Sequence, residues 1–184
     1  MLANSLILMN VKLIKSKDFY YRLVDSFFVY FCKKKNRLMY NGLLHMHSGL
    51  RWIALILLVV AIVNALISKG KGNYLKKDKM INLFAMIMLH TQLLIGFVLY
   101  FLSPKVSFSE GWMKNPLFRF YGMEHLLLML IAIVLVTIGR KKAEKASVAS
   151  QKHTKIMVWY TIGLILILAS IPWPFRQALG GAWF

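Results

Sequence analysis

The stretch HMHSGLRW, residues 45–52, sets two imidazoles and a guanidinium at the head of a long apolar run. Further on, His90, Glu124, His125 and His153 fall in or beside other apolar runs. Ionisable groups inside a membrane span are costly, so each is a functional candidate. Imidazoles on facing helices hold a b-type haem in a bundle, one nitrogen on each face of the iron. A guanidinium suits a carboxylate or a haem propionate, and a lone intramembrane carboxylate suits proton transfer.

Such side chains need elements that cross lipid. The chain has 184 residues, 59% of them hydrophobic, with mean hydropathy +0.60. From Ile53 to Ile67 the only polar side chain is Asn64. Four apolar segments stand out, at about 43–68, 80–102, 120–139 and 156–171, the last closed by Pro172 and Pro174. Only helices or closed barrels satisfy backbone groups in lipid, and runs of this length without alternation are helices. The expected fold is an all-α membrane protein, a four-helix transmembrane bundle with short loops.

Charge supplies the orientation. The formal net charge of +18 sits mostly between the apolar segments. That pattern points to topology signalling and anionic lipid rather than nucleic acid. The 69–79 loop carries five lysines and the 140–155 loop six basic residues, whereas 103–119 carries three and is aromatic. The basic loops are therefore expected in the cytoplasm and both ends of the bundle in the periplasm, in a multi-pass protein of a bacterial inner membrane. Trp112, Phe118, Phe120, Tyr100, Trp173 and Trp183 form an outer aromatic belt. Lys33, Lys34, Lys35 and Arg37 precede the first helix on the wrong side for this layout. A start of translation at Met39 removes the conflict. It makes 1–38 a non-native extension and 39–184 the transmembrane domain. The rival is a cytoplasmic amphipathic segment, or a short membrane-associated helix near 20–31. With Cys32 the sole cysteine, there is no intrachain disulfide and no cysteine-ligated cluster.

Depth can be reckoned from the basic edges Lys69, Lys79, Arg140 and Lys155 at roughly 1.5 Å per residue. His47 comes out at about 33 Å, Arg51 at about 27 Å, Glu124 at about 24 Å, His125 at about 22 Å and His90 at about 16 Å. His47 and Arg51, four residues apart, share a helix face. Arg51 and Glu124 lie at nearly equal depth. Either they form an ion pair, or Arg51 meets a haem propionate, or Glu124 carries protons. His90 with His125 is the better-matched ligand pair, His47 with His125 needs tilt, and His90 with His153 is poor. One haem fits better than two, with His125 its safest ligand and His90 or His47 opposite. A plain interhelical hydrogen-bonding role for the histidines competes with this. His153 reads as interfacial and His45 as facing water or headgroups. Gly122 serves either macrocycle approach or helix packing. Gly163, Met123 and Met129 read as packing residues. The motifs CxxCH and HExxH and a phosphate-binding glycine loop are absent, and HMHS is at most a weak copper or zinc site.

HSGLRW, LHTQLLIGFVLYFLSP, GMEHLLLMLIAIVL and KHTKIMVWYTIGLILILASIPWPFR, taken together, resemble a family of small four-helix membrane proteins of Bacteroidetes-type bacteria labelled "cytochrome B". The resemblance covers about 39–184 and implies haem b and a place in electron transport. The resulting expectation is a b-type cytochrome-like protein carrying electrons in a respiratory chain, with quinol or a respiratory-complex subunit as donor and lipid around it. Two other functions fit the same residues. One is a non-enzymatic accessory or assembly subunit of a terminal oxidase. The other is a small proton or solute pathway built on Glu124 and His125.

Overall fold

The computed structural model of the chain describes residues 37–181. Cys32, the 20–31 stretch, most of the expected extension and Trp183 lie outside the described residues. Contacts divide the chain into 1–42 and 43–184, and the bundle belongs to the second unit.

Four helices make up the fold: α1 (Arg37–Lys71), α2 (Lys76–Leu102), α3 (Pro116–Lys145) and α4 (Ala149–Ser170). All four are long and apolar enough to cross a membrane. The shortest has 22 residues, about 33 Å of helix against a hydrocarbon core of about 30 Å. There is no strand among the described residues. The protein is thus the all-α four-helix membrane bundle expected from its sequence.

Punctuation follows local chemistry. α1 ends in a 3-10 turn, Lys69–Lys71, and Gly72 takes the left-handed φ of 70° that a side chain would resist. Asn115 caps α3 by accepting from Leu117 and Phe118 N–H, with Pro116 in the first turn. α4 stops at Ser170, just before Pro172. All four helices start earlier than hydropathy predicts. α2 begins at Lys76, and α3 continues past Arg140 to Lys145. The reason is that charged turns extend a helix beyond its greasy part: Arg140 Nη2 meets Glu144 Oε1 at 2.5 Å one turn on, over a fully buried Ala143.

Small residues line the core. Ala54, Ala61 and Ala65 of α1, Ala85 of α2 and Ala132 and Ala143 of α3 are all buried. Lipid gives no hydrophobic reward for helix association, so close backbone approach supplies it through van der Waals contact. α3 and α4 show this best. Gly139 lies against Cβ and Cγ at the base of the Trp159 side chain, and Gly163 receives Val136, whose Cγ2 would sit 2.7 Å from an added Cβ. Gly163 is therefore a packing residue, as expected. Large apolar side chains such as Ile56, Leu66, Leu94 and Phe101 point outward, 59–71% exposed, as lipid contact requires.

Candidate functional site

Three of the candidate histidines are locked by main-chain carbonyls. A carbonyl only accepts, so the ring nitrogen beside it carries the proton. His125 Nδ1 donates to Ser170 O at 2.8 Å, His90 Nδ1 to Met86 O at 2.8 Å, and His153 Nε2 to Asn73 O at 3.0 Å. In neutral imidazole the opposite nitrogen is then a bare acceptor: Nε2 in His125 and His90, Nδ1 in His153.

His47 of α1 and His125 of α3 converge. Their ring centroids are 6.5 Å apart, with planes at 76°. His125 is set by a π-helical turn, Phe120–Glu124, in which its N–H reaches back to Phe120 O. The extra residue of a π turn re-aims the side chains that follow it. The rings of Phe120 and Tyr121 lie 5.6 and 6.3 Å from the imidazole. His47 is positioned from α2: Gln92 Nε2 donates to its carbonyl at 2.7 Å, and its ring lies over Gly96, where a Cβ would come 3.0 Å from Cε1. His47 Nδ1 is buried and has no hydrogen-bond partner.

The expected depth mismatch of His47 and His125 is thereby corrected. Arg140 is not the edge of α3. Counted from the helix ends at Lys145 and Lys71, His125 stands about 30 Å and His47 about 36 Å from the basic end, a gap of about 6 Å rather than about 11 Å. The pairing of His90 with His125 is not what forms. His90 Nε2 instead faces Thr137 Oγ1 at 3.5 Å, three turns along α3 from His125. The Arg51–Glu124 ion pair is replaced as well: Glu124 Oε1 takes Arg119 Nε at 2.7 Å on its own helix. A partner five residues away across the π turn satisfies the carboxylate without crossing the bundle. Arg51 lies one turn below His47, its guanidinium 5.3 Å from the Trp52 ring. Gly122 packs under Trp112 and Phe108, the packing one of its two readings.

The basic end holds a second polar cluster. His153, close to the start of α4 at this end, is 1% exposed, and its ring stands 5.0 Å from Tyr74. Asn82 Nδ2 donates to Tyr74 OH at 3.0 Å, and Tyr160 OH donates to Asn82 O at 2.9 Å. Burial pushes the Tyr74 phenol above its ordinary pKa. Asp78, 4% exposed, takes Asn64 Nδ2 and Leu75 N–H, both at 2.7 Å. At the third position of α2 its charge also suits the helix N-terminus. These contacts staple the 72–75 turn to α1, α2 and α4. Asp78 went unrecognised because hydropathy starts the second span after it; Asn64, isolated in an apolar run, was the signal that a partner existed.

Among the described residues, no three His, Cys, Asp or Glu side chains gather as a metal site. A bare ion would lack ligands at the His47–His125 pair, whereas iron already held by four porphyrin nitrogens needs only two. No family model matches the chain, and neither a curated protein nor a solved structure shows detectable similarity to it.

Proposed function

We propose that the protein is a b-type cytochrome-like electron carrier in which His47 of α1 and His125 of α3 would hold the iron of one haem b. The observation that carries this reading is the convergence of those two rings from separate spans at 6.5 Å. Metal–imidazole nitrogen distances are about 2 Å, so two rings sharing one metal hold their centroids roughly 6 Å apart. Rings on one axis rotate freely about it, so a 76° interplanar angle is compatible.

Other features support the same assignment. The Ser170 carbonyl fixes His125 in the tautomer that presents Nε2, and such a hydrogen bond raises ligand basicity. His47 Nδ1 is buried with no hydrogen-bond partner, a state that a metal ligand or a ligand-induced ring rotation relieves. Gly96 gives the His47 ring space that any side chain would fill. Haem b supplies a reversible one-electron couple, and the protein supplies ligation, orientation and a lipid-shielded setting. Arg51, on the His47 face and near the aromatic end, suits a propionate. The lysine-rich loops favour a cytoplasmic position for the opposite end, and on that orientation the pair belongs toward the periplasmic face of an inner membrane.

The test is optical. Purified full-length protein, expressed with haem supplied, gives a reduced-minus-oxidised α-band that disappears in His47→Ala and in His125→Ala and persists in His90→Ala. A colourless wild type, or a band that survives loss of His47, overturns the proposal. A colourless protein that co-purifies with an oxidase favours an accessory role.

A further inference from the structure

A cavity of about 340 Å³ opens between α2 and α3, separate from the His47–His125 pair. Its walls are apolar, chiefly Leu93, Ile133 and Val134, and its polar groups are His90, Thr137 and Lys141. The volume falls within the range of small-molecule sites, about 300–1,000 Å³. Leu130 and Val134 on its rim are 46% and 48% exposed, so the mouth faces the lipid.

His90 gives this cavity a chemical preference. Its Nδ1 proton goes to Met86 O at 2.8 Å. Thr137 has one hydroxyl proton, and it goes to Ile133 O at 2.7 Å. The 3.5 Å contact of Thr137 Oγ1 with His90 Nε2 therefore sets acceptor against acceptor. The Nε2 lone pair calls for a donor from inside the cavity, because a polar group left unsatisfied in hydrocarbon is expensive.

Position narrows the donor. His90 stands fourteen residues after Lys76 and twelve before Leu102, at the middle of α2. Acyl chains reach that depth but carry no donor. Phospholipid headgroups carry donors but stay at the interface, about 15 Å away in a core of about 30 Å. A hydroxylated ring on an isoprenoid or alkyl tail has both properties. We infer that the α2–α3 cavity binds the head group of a lipid-soluble quinol, with one ring hydroxyl donating to His90 Nε2. The Thr137 hydroxyl oxygen stands beside it as a further acceptor. Lys141, one turn below Thr137 on α3, closes the basic end of the cavity. This binding does not rest on the haem assignment.

Photolabelling tests it. The full chain in detergent is irradiated with an azido-substituted short-tail quinol and mapped by peptide mass spectrometry. Adducts are expected on 87–94 and 130–141. They should be displaced by unlabelled quinol and weakened at least tenfold in His90→Leu. The dimethyl ether of the same quinol, which keeps the ring and loses both donors, should compete at least tenfold more weakly with wild type. That arm does not depend on any variant folding. Labelling scattered over lipid-facing residues, equal competition by the ether, or displacement by excess phospholipid overturns the inference. The haem band is read on the same preparation, so loss of one reading is distinguishable from loss of the other.

Discussion

Gly96→Val addresses the histidine pair without touching either ring. A Cβ at position 96 would lie 3.0 Å from His47 Cε1. Carbon atoms in contact settle at about 3.5–4.0 Å, so the imidazole must retreat by roughly 0.5–1 Å, and valine's two methyls add to the pressure. Overpacking of this kind costs about 1–3 kcal/mol. If His47 is a ligand, that cost falls on the ligated geometry and weakens haem binding by about 5- to 150-fold, at 1.4 kcal/mol per tenfold. The assay is haem titration of the apoprotein in detergent, followed at the Soret and α-bands, with far-ultraviolet circular dichroism as a check on the helices. Gly163→Ala is the matched control, since it crowds Val136 in the α3–α4 seam and leaves both imidazoles alone. Unchanged haem affinity in Gly96→Val, with helix content intact, would refute the placement of His47 on the iron.

Asp78→Ala should lower resistance to dodecyl-sulfate unfolding by about 1–3 kcal/mol, because it leaves Asn64 Nδ2 and the Leu75 N–H without their acceptor. Gly139→Leu should be at least as damaging in the same assay, about 1–3 kcal/mol or more, since even its Cβ would overlap Trp159. Tyr160→Phe removes the hydrogen bond to Asn82 O but keeps the ring, and should cost only about 0.6 kcal/mol, the average for interhelical bonds in lipid. Glu124→Gln should change stability by less than about 1 kcal/mol, because its partner Arg119 is 43% exposed; equal proton flux into vesicles carrying either form would remove Glu124 from any conduction role.

The span count, the helical character and the packing role of Gly163 were legible because they depend on hydropathy and residue size along one strand of sequence. Glu124 was legible as a candidate but not in its partner, since the Arg119 contact depends on the π turn between them. The closeness of His47 to His125 was obscured by one boundary: Arg140 marks an edge by charge, yet its contact with Glu144 lets α3 run on to Lys145. Carbonyl partners such as Ser170 O and Asn73 O carry no sequence signature at all, because every residue offers one. The burial of His153 was hidden by its lysine neighbours, because the helix turns those lysines away from the face that carries the imidazole inward.

The seam between α3 and α4 has a bearing on where a planar guest could lodge. Where Trp159 rests on Gly139 and Val136 on Gly163, not even a methyl group fits without something moving, and a disc of atoms has no room between the two helices. That seam is shut to any flat ring, and the side of α3 that His125 shares with His47 faces α1 instead. How α1 settles against the α3–α4 hairpin therefore sets how much room the two imidazoles have between them.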